Sequence, residues 1–259
     1  MSLQRLADAL RHVPGVAAVH AFDSVGSTNA AALELGVAGA PGGTVVVADT
    51  QTAGRGRAGR SWWSPPGRHV YASFILRPPW PAVRASHLPL DAAVAVSSAI
   101  DAASGLRSAV RWPNDVFVDD LKVAGILAEL RSVGDRIDFV VIGVGIDVGR
   151  LGPDVPSDIA AVATSLSDAA GRAIDRAEVG RELAAHLLRG YGRCLERGGF
   201  DRTGWLARTA TLGRAVRVSP PGGSPFEAVA VDITRDGALL VERDGRREEV
   251  IAGDVREIR

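Results

Sequence analysis

The stretch Arg111-Trp112-Pro113-Asn114-Asp115-Val116-Phe117-Val118-Asp119-Asp120-Leu121-Lys122-Val123-Ala124-Gly125-Ile126-Leu127 decides how this chain is read. Two apolar runs, Val116–Val118 and Leu121–Leu130, meet across Asp119-Asp120, which predicts an antiparallel hairpin. Pro113 fixes its own backbone and biases Trp112 to an extended conformation, so Asn114 and Asp115 leave a strand end in a defined direction. An amide and a carboxylate at such a corner can orient a ligand, hold a magnesium ion or simply close a turn. Strict alternation after Leu121 places Lys122, Ala124, Ile126 and Ala128 on one strand face and Val123, Gly125, Leu127 and Glu129 on the other. A lysine sharing a face with alanine and isoleucine must reach out to water or meet an anion.

Lys122 is the one lysine among 30 lysine and arginine residues. Arginine is a planar five-donor fork and lysine a compact ammonium, so a lone lysine marks either a site that needs the ammonium or an accident of drift. Its surroundings decide between the two. The 259 residues, 46% of them hydrophobic, can bury a substantial core in one large or two unequal domains. No uninterrupted apolar run reaches about 18 residues and the first residues lack a secretory pattern, so a cytoplasmic protein that makes no use of a membrane is expected.

A net charge of zero argues against a general polyanion-binding surface. Cys194 is the single cysteine and is read as a buried structural residue. The histidines, His12, His20, His69, His87 and His186, lack ligand spacing, which argues against a histidine-built metal site.

Outward from the hairpin, Ser27-Thr28-Asn29 is read as the cap of a helix to about Val37, with Asp23 and Gly26 in the turn before it. Thr44–Asp49, His69–Leu76, Ala109–Arg111 and Asp138–Ile146 read as strands. Ser86 to about Ala103 and Arg176 to Glu196 read as long helices. Gly149–Pro156 is a connection, and Ala163–Leu166 a small turn. From Leu212 the pattern changes to short strands at Ala215–Val218, Ala228–Ile233, Ala238–Glu242 and Glu248–Ile251, which predict a small barrel. The elements predict an α+β chain: a mixed β-sheet flanked by helices over residues 1–210, then a small barrel over 211–259.

Between two of the strands lies Gln51-Thr-Ala-Gly54-Arg55-Gly56-Arg57-Ala58-Gly59-Arg60-Ser61-Trp62-Trp63, whose charges are all positive. It matches the dinucleotide-binding glycine pattern in letters and nearly matches a P-loop. Both motifs require a helix to begin at their end, and Ser64-Pro65-Pro66-Gly67 follows instead. What remains is a mobile loop whose glycines admit close backbone approach and whose arginines offer bidentate bonds to phosphate or carboxylate. Two adjacent tryptophans in such a loop need something to cover or stack on.

With these pieces assembled, the chain resembles the biotin protein ligase family. The resemblance rests on Ser27-Thr-Asn29, Gln51 to Trp62, Trp112-Pro-Asn-Asp115, Lys122-Val-Ala-Gly-Ile-Leu127, Gly143-Val-Gly-Ile146 and Ala163-Thr-Ser-Leu166, in the family's order and spacing. It implies a class II synthetase-like catalytic domain and a small carboxy-terminal SH3-like barrel. It also implies a two-step reaction with ATP and biotin as substrates and Mg²⁺. Biotin's carboxylate attacks the α-phosphate of ATP to give biotinyl-5′-AMP and pyrophosphate. A lysine of the biotin carboxyl carrier protein domain of a biotin-dependent carboxylase then displaces AMP.

The implied roles are these. Ser27, Thr28, Asn29 and Gln51 address the ureido and ring end of biotin. Arg55, Gly56 and Arg57 fold over biotin and the adenylate, with Gly125 also on the biotin side. Arg57 and Arg60 meet phosphate, Trp62 shapes the nucleotide side, and Asn114 and Asp115 orient phosphate and magnesium, Asp115 as the metal ligand. Lys122, with Arg57, is the catalytic cation that bridges biotin's carboxylate and the α-phosphate.

Three departures stand out. Arg111 occupies a position where lysine is usual, which implies that charge is enough there. Asp147, counted with the ATP-binding residues, stands where asparagine is usual and as a carboxylate cannot donate as an amide does. The resemblance implies that some members carry an amino-terminal DNA-binding domain of roughly sixty residues; a short form without DNA binding, monomeric or homodimeric, is expected. The alternatives are a lipoate or octanoate ligase of the same superfamily, or a nonenzymatic nucleic-acid-binding module.

Overall fold

The near-continuous apolar runs over residues 44–48, 70–76 and 139–146 dictate a sheet covered on both faces. The computed structural model describes residues 2–258. The chain begins with α1 (Leu3–Arg11), β1 (Ala18–Val25), α2 (Thr28–Val37), β2 (Thr44–Gln51), β3 (Val70–Leu76) and α3 (Leu88–Ser104). It continues through β4 (Ala109–Arg111), β5 (Asp115–Val118), β6 (Leu121–Val133) and β7 (Arg136–Ile146). After β7 come the short α4 (Ser157–Ala160) and α5 (Leu166–Ala169), the long α6 (Arg176–Arg197) and α7 (Arg202–Leu206). The strands from β1 to β7 form one mixed sheet in the order β1-β2-β3-β7-β6-β5-β4, in which only β1 and β2 run parallel.

One face of the sheet carries Val70, Ala72 and Phe74 of β3 and Val140, Ile142, Val144 and Ile146 of β7, packed in the same core as residues of α3 and α6. The opposite face changes character along its length. At one end Val46, Ile75, Phe139 and Val141 pack with Ala32 of α2. Farther along, β3 presents Ser73 and Tyr71, and β7 presents Gly143 and Gly145 directly opposite them. The apolar half secures α2; the polar half is the site.

The last segment forms β8 (Ala215–Ser219), β9 (Phe226–Ile233), β10 (Leu239–Arg243), β11 (Arg246–Val250) and β12 (Asp254–Glu257). They make a five-stranded antiparallel sheet in the order β11-β10-β9-β8-β12. Its junction with the large sheet runs through Trp112, whose backbone N–H donates to Thr211 Oγ1 (2.9 Å) and whose Nε1–H donates to Gly237 O (3.0 Å).

Three readings of the sequence change. Asp23 belongs to β1 rather than to a turn, because residues 18–25 pair in parallel with β2. Ser27 stands at the cap position of α2, but its hydroxyl makes no capping bond. Most consequentially, the register of β5 and β6 shifts between Val116 and Phe117, so that Phe117 faces Lys122 while Val116 faces Ala124. Val123 is the extra residue of this bulge and joins Ala124 and Ile126 in the large core. A bulge reverses alternation on one side of itself; Lys122 therefore shares a face with Gly125, not with Ala124, Ile126 and Ala128.

Candidate functional site

The site lies on the polar half of the sheet face, and glycines make its floor. A β-carbon on Gly143 would lie 2.0 Å from Asn29 Oδ1, and one on Gly145 would lie 2.4 Å from Trp62 Cε2. One on Gly125, which pairs with Gly145 across β6 and β7, would come within 2.8 Å of Trp62 Cζ3. The glycines thus exist to let Asn29 and the Trp62 indole lie flat on the strands. Trp62 of the tryptophan pair has found its surface.

Lys122 stands at the edge of this floor. Its Nζ is 2.7 Å from Asp115 Oδ1 and 5.4 Å from the centre of the Trp62 ring. Asn114, next to Asp115, donates through Nδ2 to Ile126 O (2.7 Å) and accepts from Arg57 NH1 (3.1 Å). Arg57 and Lys122, far apart in sequence, are therefore brought together through the adjacent Asn114 and Asp115. Burial lowers the pKa of the Arg57 guanidinium, against which Asp254 and Asp115 act; an arginine stays charged regardless.

At the α2 end Thr28 and Gln51 bond to each other, and Gln51 and Asn29 also engage residues outside the expected set. Gln51 Oε1 accepts from Thr28 N (2.9 Å) and from Thr28 Oγ1 (3.1 Å). Gln51 Nε2 donates to Ser64 Oγ (3.0 Å). Asn29 Nδ2 donates to Glu129 Oε2 (2.8 Å) and Leu127 O (3.3 Å), and Asn29 Oδ1 is 2.6 Å from the Ser73 hydroxyl. Ser64, Ser73 and Glu129 were not singled out in the sequence. For Ser73 a signal existed, since alternation along β3 puts it opposite Gly143. Ser27 is buried beside this network.

The arginine loop is pinned at three points. Arg55 pairs with Glu129 (2.9 Å), Arg57 reaches Asn114, and Arg60 pairs with Asp254 of the small sheet (2.8 Å). Residues 57–59 form a single 3₁₀ turn and no helix follows up to β3, as the rejection of the dinucleotide and P-loop patterns requires. A cavity of about 470 Å³ opens between this loop, the start of α3 at Pro89 and Leu90, and β6 at Ile126–Glu129. That volume falls in the range of small-molecule sites. Arg55, Gly56, Arg57, Arg60 and Asn114 line it, whereas Lys122, Trp62 and Asp147 stand off its wall.

Beyond Gly145 the same face continues to Asp147, one residue past the end of β7 and buried. Burial pushes its carboxyl up to about 8, with Lys122 acting in the opposite direction. Two further residues are structural. Arg111 lies 4.0 Å over the Phe117 ring and pairs with Asp120 and with Glu257 (3.0 Å), so this position uses arginine's planar fork and not charge alone. Cys194 is fully buried, its thiol pushed up to about 12 by burial and by Asp91, and its Sγ lies 3.4 Å from Asp91 Oδ2 and 3.3 Å from Gly199 O, either of which can accept its one proton.

The profile of the biotin/lipoate A/B protein ligase family matches residues 21–147, and that of the biotin protein ligase C-terminal domain matches residues 211–256. The bifunctional ligase/repressor BirA of Bacillus subtilis is 38% identical over 234 residues, covering 90% of this chain and 72% of that one. The biotin–[acetyl-CoA-carboxylase] ligase of Paracoccus denitrificans is 35% identical over 239 residues, covering 88% of this chain and 96% of that one. Among solved structures, the biotin protein ligase of Aquifex aeolicus in complex with biotin and ATP superposes with a TM-score of 0.79 at 27% identity, covering 93% of this chain and all of that one. The chain belongs to the biotin protein ligase family.

Proposed function

We propose that this protein joins biotin to ATP as biotinyl-5′-AMP and then transfers biotin to a lysine of a carboxyl carrier domain, in the cytoplasm, with residues 1–210 as the catalytic domain and 211–259 as the small domain. In the first step a biotin carboxylate oxygen attacks the α-phosphorus, and the bond to the β-phosphate oxygen breaks to release pyrophosphate. In the second the carrier amine attacks the acyl carbon, AMP leaves with the bond's electron pair, and the amine loses a proton. The observation that carries this reading is the convergence of Lys122 and Arg57 on Asn114 and Asp115 beside a glycine floor.

Two anions repel as carboxylate approaches phosphate, so fixed cations stabilise the transition state more than either ground state. Lys122, released from Asp115 when a more negative partner arrives, neutralises both; Arg57 and Arg60 receive phosphate charge. Ser27, Thr28, Asn29, Gln51 and Gly125 address biotin, and Arg55 with Gly56 closes the loop over it. Trp62 and Asp147 address the nucleotide. Magnesium would be held by Asp115, a single half-buried carboxylate whose Oδ1 is enclosed, with the phosphates supplying other oxygens, which suits an ion that keeps water and phosphate ligands. It would supply neutralisation of phosphate charge.

Incubating the protein with ATP, Mg²⁺ and either biotin or lipoate, and measuring pyrophosphate release, tests the reading. Release with biotin is expected. Release with lipoate alone identifies the sister activity, and release with neither removes the ligase assignment.

A further inference from the structure

Past Trp62, the site face ends in a cross-strand pair with no part in the phosphoryl step. Val70 pairs with Ile146, so the next residues outward, His69 and Asp147, stand opposite each other, 0% and 5% exposed. His69 Nδ1 accepts a hydrogen bond from Val148 N–H (3.1 Å), which places the ring proton on Nε2. That Nε2 lies 4.0 Å from Asp147 Oδ1 and, among the described residues, has no hydrogen-bond partner. An unpartnered buried donor facing a buried carboxyl is an arrangement that ligand binding can complete.

Each group's surroundings favour its neutral form. Burial, with Arg68 and Arg176, drives His69 down to about 4, against Asp168 and Asp154. Around Asp147 the titratable groups are Lys122 from β6 and His69 and Tyr71 from the β3 side. Tyr71 donates its O–H to Pro65 O (3.0 Å) and is itself pushed up by burial. Lys122 is engaged with Asp115. The Asp147 carboxyl therefore lacks a cation in contact.

The order of groups along the face is Asn29 over Gly143, Trp62 over Gly145 with Lys122 beside it, and then Asp147. If biotin's ring lies at Asn29 and the acyl phosphate at Lys122, the base falls at Asp147; this step rests on the proposed function. Adenine's edge offers an amino donor beside a ring-nitrogen acceptor, which an amide matches with two bonds. A carboxylic acid also offers one donor and one acceptor, whereas a carboxylate offers acceptors only.

We propose that Asp147 reads the adenine edge as an uncharged acid, donating its O–H to a ring nitrogen and accepting from the amino group, and that His69 is the positioning residue that fixes the carboxyl through Nε2–H. The aspartate thereby replaces the asparagine usual at this position without loss of its donor.

ATP affinity, measured as Kd by titration calorimetry and as KM in biotin-dependent pyrophosphate release, tests this at pH 7 and pH 9. With only the acid form competent, affinity weakens about tenfold over that interval in the wild type, and Asp147→Asn abolishes the dependence. His69→Phe raises KM for ATP more than it lowers kcat, and His69→Gln, which restores an N–H donor, recovers the KM. Equal wild-type affinity at both pH values, or the same loss in Asp147→Asn, overturns the proposal. Should His69→Phe fail to fold, loss of the protonated-carboxyl infrared band in Asp147→Asn supports the acid form, and absence of that band from the wild type overturns it. A wild type that binds ATP with this pH dependence yet releases no pyrophosphate with biotin sinks the ligase reading alone.

Discussion

Lys122 Nζ reaches Asp115 Oδ1 at 2.7 Å because the bulge at Val123 turns the lysine onto the face that carries Gly125 and Trp62. A compact ammonium can leave one carboxylate and bridge two new anions in the same small space, whereas a planar fork imposes its own geometry. Lys122→Arg is expected to fold with an unchanged melting temperature yet lose about 10²–10³ in the rate of biotin-dependent pyrophosphate release. Turnover within a few-fold of wild type would show that charge alone suffices at 122.

The glycine floor makes a second, steric prediction. A methyl group on Gly145 would enter the Trp62 indole, and a rigid ring on a packed strand yields only by moving away. Gly145→Ala is expected to cost about 1–3 kcal/mol of stability, by overpacking, and to change tryptophan emission. Gly192 of α6 has open space around it, so Gly192→Ala should be neutral or stabilise by about 0.4–1 kcal/mol. Denaturant unfolding of both variants separates the two; similar effects would remove the floor argument.

Much of this site was legible in the sequence because its residues carry chemistry in short motifs. Lys122, Asn114, Asp115 and Arg57 were singled out and stand together. The face of Lys122 was misread, since alternation assumes an unbroken ladder and nothing in Lys-Val-Ala-Gly announces an extra residue. Glu129 was passed over because a lone acid near a strand end reads as solvated; its role exists only through Arg55 and Asn29, 74 and 100 positions away. Helix α1 and strand β1 were not read as elements, although Leu3, Leu6, Ala7 and Leu10 after the Ser2 cap carry a clear helical period in α1; β1, whose burial alternates poorly, is completed by pairing with β2.

Glu129 fastens the arginine loop to the sheet. Its Oε2 accepts from both Arg55 (2.9 Å) and Asn29 (2.8 Å). Because Arg55 is partly exposed, global stability should hardly change in Glu129→Gln. Loop order should suffer instead: trypsin cleavage after Arg55, Arg57 or Arg60 accelerates, and KM for biotin rises about tenfold, the worth of one charge-assisted bond. Unchanged cleavage and KM would mean the loop is held by Asn114 and Asp254 alone.

His69 and Asp147 make the pH dependence of stability unusual. A buried histidine whose pKa falls from 6.5 to about 4 makes stability rise with pH between those values, since the unfolded chain holds the extra proton. A carboxyl raised from 3.8 to about 8 does the reverse, its contribution being present below 3.8 and lost as pH rises to 8. Between about 4 and 6.5 folding only moves a proton from His69 to Asp147, and the two slopes cancel. Stability should therefore stay level there as far as this pair is concerned, then fall on the order of 2 kcal/mol from pH 6.5 to 8. Asp147→Asn should expose the rising histidine slope, and His69→Gln the falling acid slope. Parallel curves for all three proteins, from urea titrations at each pH, would rule out the coupling.

The single lysine also bears on where the activated acyl group can go. A mixed anhydride of a carboxylate with AMP acylates amines, and apart from its amino terminus this chain offers only Lys122. That amine is ion-paired with Asp115 in the free protein and would face phosphate charge once the adenylate forms, and an amine engaged as a cation is no nucleophile. Prolonged incubation with biotin and ATP should leave the protein without biotin on any side chain, by mass spectrometry. Ile251 lines the cavity beside the arginine loop and is 76% exposed, so Ile251→Lys places a free amine at the mouth and should become biotinylated. Arg217→Lys, on β8 away from that wall, should not. Biotin on Lys122 itself would show that ion pairing does not shield this amine.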